Sequence, residues 1–277
     1  MHKAAIVYDF DGTLAPGNMQ EHGFITSVGS TKEEFWPKTK EFARLHDADE
    51  VLTYMRLMLQ AAAVKGHSIT RQSLNELGAR IPLFAGVSDW FARVNQFAAG
   101  LSLDLEHYVI SSGLHEMIEG CPIFKEFRQV YASRFIYEDG TAVWPGVAIN
   151  YTTKTQFLFR INKGIESTWD NRSINEWTHP EHRPLPFERM VFIGDGETDV
   201  PAMKMVRHQG GYAVAVFDPE KFAERKATIH KLISADRCNY VAPADYTSGS
   251  QLDVTVGGIL QRIAERERLG LSPASTI

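Results

Sequence analysis

Two aspartates separated by a single residue follow the first apolar segment of the chain. Asp9 and Asp11 flank Phe10, and Gly12 and Thr13 come next. Two carboxylates this close repel each other, so at least one pKa should rise unless a cation lies between them. Such oxygen ligands suit Mg²⁺, and the same pair offers a nucleophile and a general acid or base. For this motif alone, a solvated acidic turn is the alternative.

Three later features carry groups that bind phosphate or metal: Ser112 with Gly113, then Lys154, then Asp195 with Asp199. Ser112 and Gly113 offer a hydroxyl and a backbone N–H, which suit phosphate oxygens. Lys154 begins a segment of helical periodicity, where an ammonium group can neutralise clustered carboxylates together with a phosphoryl group. Lys154 considered alone is more typical of a solvated surface charge, but the ordered set predicts one shared site.

Short apolar segments precede the acidic and serine motifs, at residues 3–9, 106–111 and 189–194, and a further one covers residues 211–216. Unbroken apolar runs of this length are typical of buried parallel strands. Segments of helical periodicity, residues 87–99 and 155–163, lie between them. This alternation predicts an α/β fold with a Rossmann-like three-layer core and a mostly parallel sheet. In such a sheet, ligands bind beyond the carboxyl ends of the strands, where these motifs stand.

Residues 16–82 interrupt the alternation. Helical periodicity covers residues 32–45, 49–64 and 70–80, with no strand pattern between them. This segment is therefore predicted to be a helical insertion into the sheet domain. Farther on, residues 138–141 predict a hairpin turn between two β-prone flanks. Residues 167–187 indicate a long irregular loop, either over a site or at the surface.

Taken in order, the motifs resemble those of the haloacid dehalogenase (HAD) superfamily, in its phosphoserine-phosphatase-like phosphatase branch. The resemblance is carried by Asp9-Phe10-Asp11-Gly12-Thr13-Leu14, Val109-Ile110-Ser111-Ser112-Gly113, Lys154, and Gly194-Asp195-Gly196-Glu197-Thr198-Asp199. It implies an α/β core of residues 1–15 and 83–277, with residues 16–82 as a helical cap inserted after the first motif.

The resemblance also implies roles for the motif residues. Asp9 would be the nucleophile that forms an aspartyl-phosphate, and Asp11 would protonate the leaving oxygen and then activate water. Ser112 and the Gly113 backbone would hold the phosphoryl group, and Lys154 would steady its charge. The implied cofactor is Mg²⁺.

The implied metal ligands come from both acidic motifs. Asp9, the backbone carbonyl of Asp11 and Asp195 would hold Mg²⁺, with Asp199 as a further ligand or as an anchor for the others. A carboxylate at position 11 favours phosphate esters over carbon–halogen bonds, because the dehalogenase branch lacks it.

The cap would select the substrate, a small phosphorylated metabolite that the resemblance does not identify. Glu21 and Arg56 are the candidate substrate-binding residues by position, and for each a solvent-facing role is the alternative. The leading function is a Mg²⁺-dependent phosphatase acting through an aspartyl-phosphate. The alternatives are a phosphotransferase or phosphomutase on the same scaffold, and a non-catalytic ligand-binding or regulatory protein.

Composition narrows the classes of partner and compartment. The chain has 277 residues, a formal charge of −5 and two cysteines. The absence of a basic excess argues against nucleic-acid binding, and two cysteines are too few for a disulfide framework. Neither a signal-peptide pattern nor an apolar run of membrane-spanning length is present. We therefore expect a cytoplasmic protein without a membrane partner, and the oligomeric state is not predicted.

Overall fold

A seven-stranded sheet forms the centre of the computed structural model, which describes residues 1–196, 198–223 and 233–270. Its strands are β1 (His2–Tyr8), β2 (Leu103–Leu114), β3 (Gln129–Glu138), β4 (Thr141–Val147), β5 (Met190–Gly194), β6 (Tyr212–Phe217) and β7 (Tyr240–Pro243). Across the sheet they run in the order β4-β3-β2-β1-β5-β6-β7, and every neighbouring pair is parallel except β3 and β4. The predicted α/β fold with a mostly parallel sheet is confirmed.

The described helices are α1 (Phe24–Ser27), α2 (Lys32–His46), α3 (Glu50–Val64), α4 (Arg71–Gly78), α5 (Val87–Gly100), α6 (His115–Gly120), α7 (Lys154–Lys163), α8 (Asn171–Asn175), α9 (Val200–His208) and α10 (Gln251–Arg268). In these described ranges, each helix is too short or too polar to cross a membrane.

The central strand separates two hydrophobic clusters. Ile6 and Tyr8 of β1 pack with residues of α5 and α10, whereas Ala5 and Val7 pack with residues of α7 and α9. Alternate residues of a strand face opposite sides of a sheet, so an unbroken apolar strand is buried on both faces. The result is the three-layer arrangement that the apolar segments predict.

Residues 16–82 are helical, as predicted, and contain α1 to α4 with a 3₁₀ turn at Met19–Glu21. The last of these helices is fastened to the β3–β4 hairpin and to α6. Arg71 forms an ion pair with Glu119 (3.6 Å) and lies 4.7 Å above the ring of Tyr137. The backbone N–H of Ala142 donates to the carbonyl of Ile69 (2.8 Å). The division into a core and a cap stays a prediction.

Two other predicted features can be compared with the structure. Asp139 and Gly140 join β3 to β4 and both have positive φ (49° and 77°), as a two-residue hairpin turn requires. Residues 167–187 are largely irregular and lie at the end of α7 away from Lys154, where the Arg160 guanidinium donates to the carbonyls of Ser167 (2.7 Å) and Thr168 (3.0 Å). This loop therefore stands apart from the motif residues.

A buried hydrogen-bonded chain holds the end of β1 in place. Trp90 Nε1 donates to the Tyr8 hydroxyl (2.8 Å), which lies 3.1 Å from His107 Nδ1, and His107 Nε2 lies 2.9 Å from Asn95 Oδ1. Burial lowers the pKa of His107 to about 3, so its ring is neutral at pH 7. A neutral ring accepts from Tyr8 and donates to Asn95, so each group is satisfied. Tyr8 immediately precedes Asp9, and the chain thereby fixes the start of the first motif.

Replacing Trp90 with phenylalanine should destabilise the protein, because it leaves a void and removes the donor to Tyr8. We expect the free energy of unfolding to fall by roughly 2 kcal/mol. Trp177→Phe is the matched control, since Trp177 is 79% exposed, and its cost should stay within about 0.5 kcal/mol. Denaturant unfolding of both variants tests this, and equal costs would contradict it.

Candidate active site

The carboxyl ends of three neighbouring strands bring the predicted motif residues together. Asp9 follows β1, Ser112 and Gly113 lie near the end of β2, and Asp195 follows β5. The first residue of α7 is Lys154, and Asp199 is the residue before α9. Parallel strands end at one edge of a sheet, which is why motifs far apart in sequence meet here. Glu197 of the last motif lies outside the described residues.

A buried lysine bridges two of the aspartates. Lys154 Nζ lies 2.6 Å from Asp199 Oδ1 and 3.0 Å from Asp9 Oδ1, and all three residues are at most 3% exposed. Burial acts to lower the pKa of the lysine, but the charges of Asp199 and then Asp9 outweigh it and raise the pKa above its usual value. Lys154 is therefore a cation inside the protein, held by carboxylates on two different elements.

Three carboxylates form a group that fits a hard metal ion. One ligand oxygen from each of Asp9, Asp195 and Asp199 lies within 4.8 Å of the others. Burial, and after it the charge of Asp199, raise the pKa of Asp9 well above its usual value. A divalent cation would offset this repulsion, and carboxylate oxygens are the donors that Mg²⁺ prefers. The donor set therefore fits the predicted Mg²⁺.

Asp11, whose backbone carbonyl is the other predicted ligand, directs its carboxylate away from the three-carboxylate group. Its Oδ1 accepts from the backbone N–H of Met19 (2.9 Å). Burial raises the pKa of Asp11 to about 7, against the lowering effects of that hydrogen bond and of Lys154. Met19 also accepts a hydrogen bond at Sδ from the N–H of Leu114 (3.0 Å), so it joins the first motif to the second. Sequence analysis did not single out Met19, and no pattern marks it.

The protein holds both carboxylate oxygens of Asp199. Its Oδ1 is held by Lys154, and its Oδ2 accepts from the backbone N–H of Asp195 (3.1 Å). These contacts place Asp199 where the predicted anchor would lie, and one of its oxygens also belongs to the three-carboxylate group, so both predicted roles stay open.

Close approach of carboxylates explains the glycines in both acidic motifs. A Cβ added to Gly12 would lie 2.7 Å from Asp195 Oδ2, and one added to Gly194 would lie 2.3 Å from Asp199 Oδ2. Real Cβ atoms essentially never come this close to an oxygen, so any side chain would push the acidic groups away. These glycines allow the carboxylates to sit against the backbone of the neighbouring strand ends.

The serine motif leaves one hydroxyl without a partner. Ser112 Oγ is buried and forms no hydrogen bond within the described structure. The N–H of Gly113, predicted to bind phosphate, already donates to Ser111 Oγ (3.0 Å). Ser111 is fully buried, although the sequence did not mark it as a site residue.

A cavity of about 380 Å³ opens above these groups. Its floor is made by Asp9, Asp11, Ser112 and Asp195. Much of its wall comes from the insertion: Gln20, Trp36, Thr39, Lys40, Glu50 and Tyr54. The wall residues were missed because no motif marks them, and only the packing of the insertion brings them here.

The two predicted substrate-binding residues lie outside this cavity. Glu21 Oε1 accepts from Trp36 Nε1 (2.8 Å) and from Asn18 Nδ2 (2.8 Å), close to Asp11, so it holds one wall of the cavity. The structure does not bring Arg56 to the site, because its exposed guanidinium stacks 4.8 Å from the ring centre of Phe42. Whether Glu21 contacts a substrate stays a prediction.

Removal of the buried cation should destabilise the metal-free protein strongly. We expect Lys154→Met to lower the free energy of unfolding by about 3–5 kcal/mol in EDTA, because Asp9 and Asp199 lose their counter-ion. The double variant Lys154→Met/Asp199→Asn should cost less than the sum of the two single variants, since one unpaired charge is removed. Denaturant unfolding measures all three, and strictly additive costs would contradict the ion pair.

Comparisons with known proteins agree with the fold and the motifs. A family model described as haloacid dehalogenase-like hydrolase matches residues 6–204. An uncharacterized protein of Borreliella burgdorferi is 26% identical over 277 aligned residues, which cover 90% of this chain and 93% of that protein.

Solved structures share the fold at low identity. A HAD family hydrolase of Salmonella enterica serovar Typhi has a TM-score of 0.60 at 14% identity and covers 92% of this chain and 70% of its own. A phospho-aspartyl intermediate analogue of phosphoserine phosphatase has a TM-score of 0.55 at 16% identity, and the match covers 92% of this chain and 98% of the phosphatase. Cytosolic 5′-nucleotidase IIIB bound to cytidine has a TM-score of 0.54 at 17% identity, and the match covers 98% of this chain and 88% of the nucleotidase. Because the family model spans most of the sequence, the chain belongs to the haloacid dehalogenase-like hydrolases.

Proposed function

We propose that this protein is a Mg²⁺-dependent phosphatase that hydrolyses a small phosphorylated metabolite through an aspartyl-phosphate on Asp9. The observation that carries the proposal is the juxtaposition at the cavity floor. A buried Lys154 cation holds Asp9, and the Ser112 hydroxyl at the same floor has no hydrogen-bond partner among the residues that the structure describes. A cavity of about 380 Å³ suits a small molecule.

Asp9 is the nucleophile in this proposal. Its Oδ1 accepts from Lys154 (3.0 Å) and from the N–H of Phe10 (2.8 Å), which leaves Oδ2 to attack phosphorus. The new bond joins Oδ2 to phosphorus as the bond from phosphorus to the leaving oxygen breaks. Lys154 and the Ser112 hydroxyl stabilise the charge on the phosphoryl oxygens, which is most of what a protein contributes to phosphoryl transfer.

Asp11 moves the protons. In the first step it gives its proton to the leaving oxygen, and in the second its carboxylate takes a proton from the water that attacks the aspartyl-phosphate. The second step releases inorganic phosphate and restores both aspartates. The hydrogen bond from Met19 holds the Asp11 carboxyl in one orientation for both steps.

Asp9, Asp195 and the Asp11 backbone carbonyl would hold Mg²⁺, with Asp199 as their anchor. When bound, the ion neutralises charge on the transferring phosphoryl group. The wall from the insertion limits access of bulk water to the aspartyl-phosphate.

Asp9→Asn should abolish hydrolysis, because the amide is a poor nucleophile. With an aryl phosphate and Mg²⁺, we expect turnover to fall by at least roughly 10³-fold while the fold is retained. Asp104→Asn is the control, since Asp104 is exposed on β2. Wild-type turnover should also be lost in EDTA. Full activity in Asp9→Asn would overturn the proposal.

Asp11→Asn should separate the two chemical steps. An aryl leaving group of low pKa departs without a proton, so the first step survives in this variant, but the second step loses its base. We expect a burst of about one equivalent of aryl alcohol per enzyme, followed by turnover slowed by about 10²–10⁴-fold. Rapid-quench or stopped-flow absorbance shows the burst, and steady turnover at the wild-type rate would exclude this role for Asp11.

A further inference from the structure

The carbonyl oxygen of Ser112 accepts two hydrogen bonds from different parts of the fold. The Tyr54 hydroxyl donates to it at 2.7 Å, and Ser133 Oγ donates at 3.2 Å. Tyr54 belongs to α3 of the insertion and is 5% exposed, whereas Ser133 belongs to β3. Ser112, whose side-chain hydroxyl has no partner in the described part of the chain, therefore has its backbone held from two sides.

Holding this carbonyl also fixes the peptide unit between Ser112 and Gly113. The peptide unit is planar, so the direction of the Ser112 carbonyl also sets the direction of the Gly113 N–H, which reaches Ser111 Oγ at 3.0 Å. The pairing of β2 with β3 shifts register between Ser111 and Leu114, so strand pairing alone does not define this stretch. Side-chain hydrogen bonds to the carbonyl supply the missing constraint.

The same end of α3 also contacts the segment before Lys154. Asp49, which caps the start of α3, accepts at Oδ2 from Asn150 Nδ2 (2.7 Å). Asn150 in turn accepts at Oδ1 from the N–H groups of Thr152 and Thr153, just before α7. One helix of the insertion thus touches both segments that carry the proposed phosphate-binding groups.

We propose that Tyr54 is a positioning residue, whose hydroxyl ties the helical insertion to the Ser112–Gly113 peptide and so sets the affinity of the site for the phosphoryl group. This inference rests on the proposed function for the nature of the ligand. Tyr54 acts on the part of the site that all phosphate esters share. Its removal therefore weakens binding by the same factor whatever the leaving group, unlike removal of a residue that contacts the leaving group.

The test compares wild type, Tyr54→Phe and Tyr212→Phe in the presence of Mg²⁺. Tyr212 lies on β6, outside the cavity, and controls for loss of a tyrosine hydroxyl. Calorimetry gives the Kd for inorganic phosphate, and kinetics give kcat/KM for an aryl phosphate and for a small alkyl phosphate. We expect Tyr54→Phe to raise the Kd and to lower both kcat/KM values by one common factor of about 3- to 10-fold. Tyr212→Phe should leave all three values unchanged.

The other outcomes of this experiment would contradict the role of Tyr54, the proposed function, or both. An unchanged Kd for inorganic phosphate in Tyr54→Phe, with only a lower unfolding midpoint, would show a purely structural role and overturn it. Different factors for the two esters would place Tyr54 against the leaving group and also overturn it. If wild type binds phosphate but hydrolyses neither ester, the proposed function fails while the Kd comparison still tests Tyr54. If wild type does not bind phosphate, both fail.

Discussion

A lysine ammonium closed off from water requires negative charge in direct contact, and this requirement organises the site. Lys154 meets it with Asp9 and Asp199, which come from the end of β1 and the start of α9. The start of α7 must therefore lie against both elements. Buried ion pairs of this kind contribute little net stability, but they permit few alternative arrangements. The Tyr8–Trp90 hydrogen bond fixes the approach to Asp9 from the opposite face of the sheet.

Most of the acidic groups of the cavity lie at its floor. Asp9, Asp11 and Asp195 lie there, beyond the strand ends, and Asp9 contacts the buried Lys154. The wall from the insertion is mostly aromatic or uncharged, with Trp36 and Tyr54 in edge-to-face contact at 6.0 Å between ring centres. The floor and much of the wall thus come from separate parts of the chain, which are joined through Met19 and Tyr54.

The residues at the cavity floor could be predicted from sequence because a small number of physical rules place them. Parallel strands end at one edge, so Asp9, Ser112 and Asp195 had to meet once their strands were identified. The wall was not predictable, since helical periodicity shows which face is buried but not against what. Arg56 shows a second limit: it shares a helix face with Leu52, four residues earlier, and that face is exposed although leucine suggests burial.

The attachment of α4 bears on how such an insertion can evolve. Arg71 with Glu119 and Tyr137, and Ile69 with Ala142, join it to the β3–β4 hairpin and α6. A recombination event that exchanged residues 16–82 for the insertion of a relative would break these contacts unless α6 and the hairpin were exchanged as well. The unit that such an exchange must carry is therefore larger than residues 16–82. That unit includes a hairpin whose first strand begins 47 residues after residue 82.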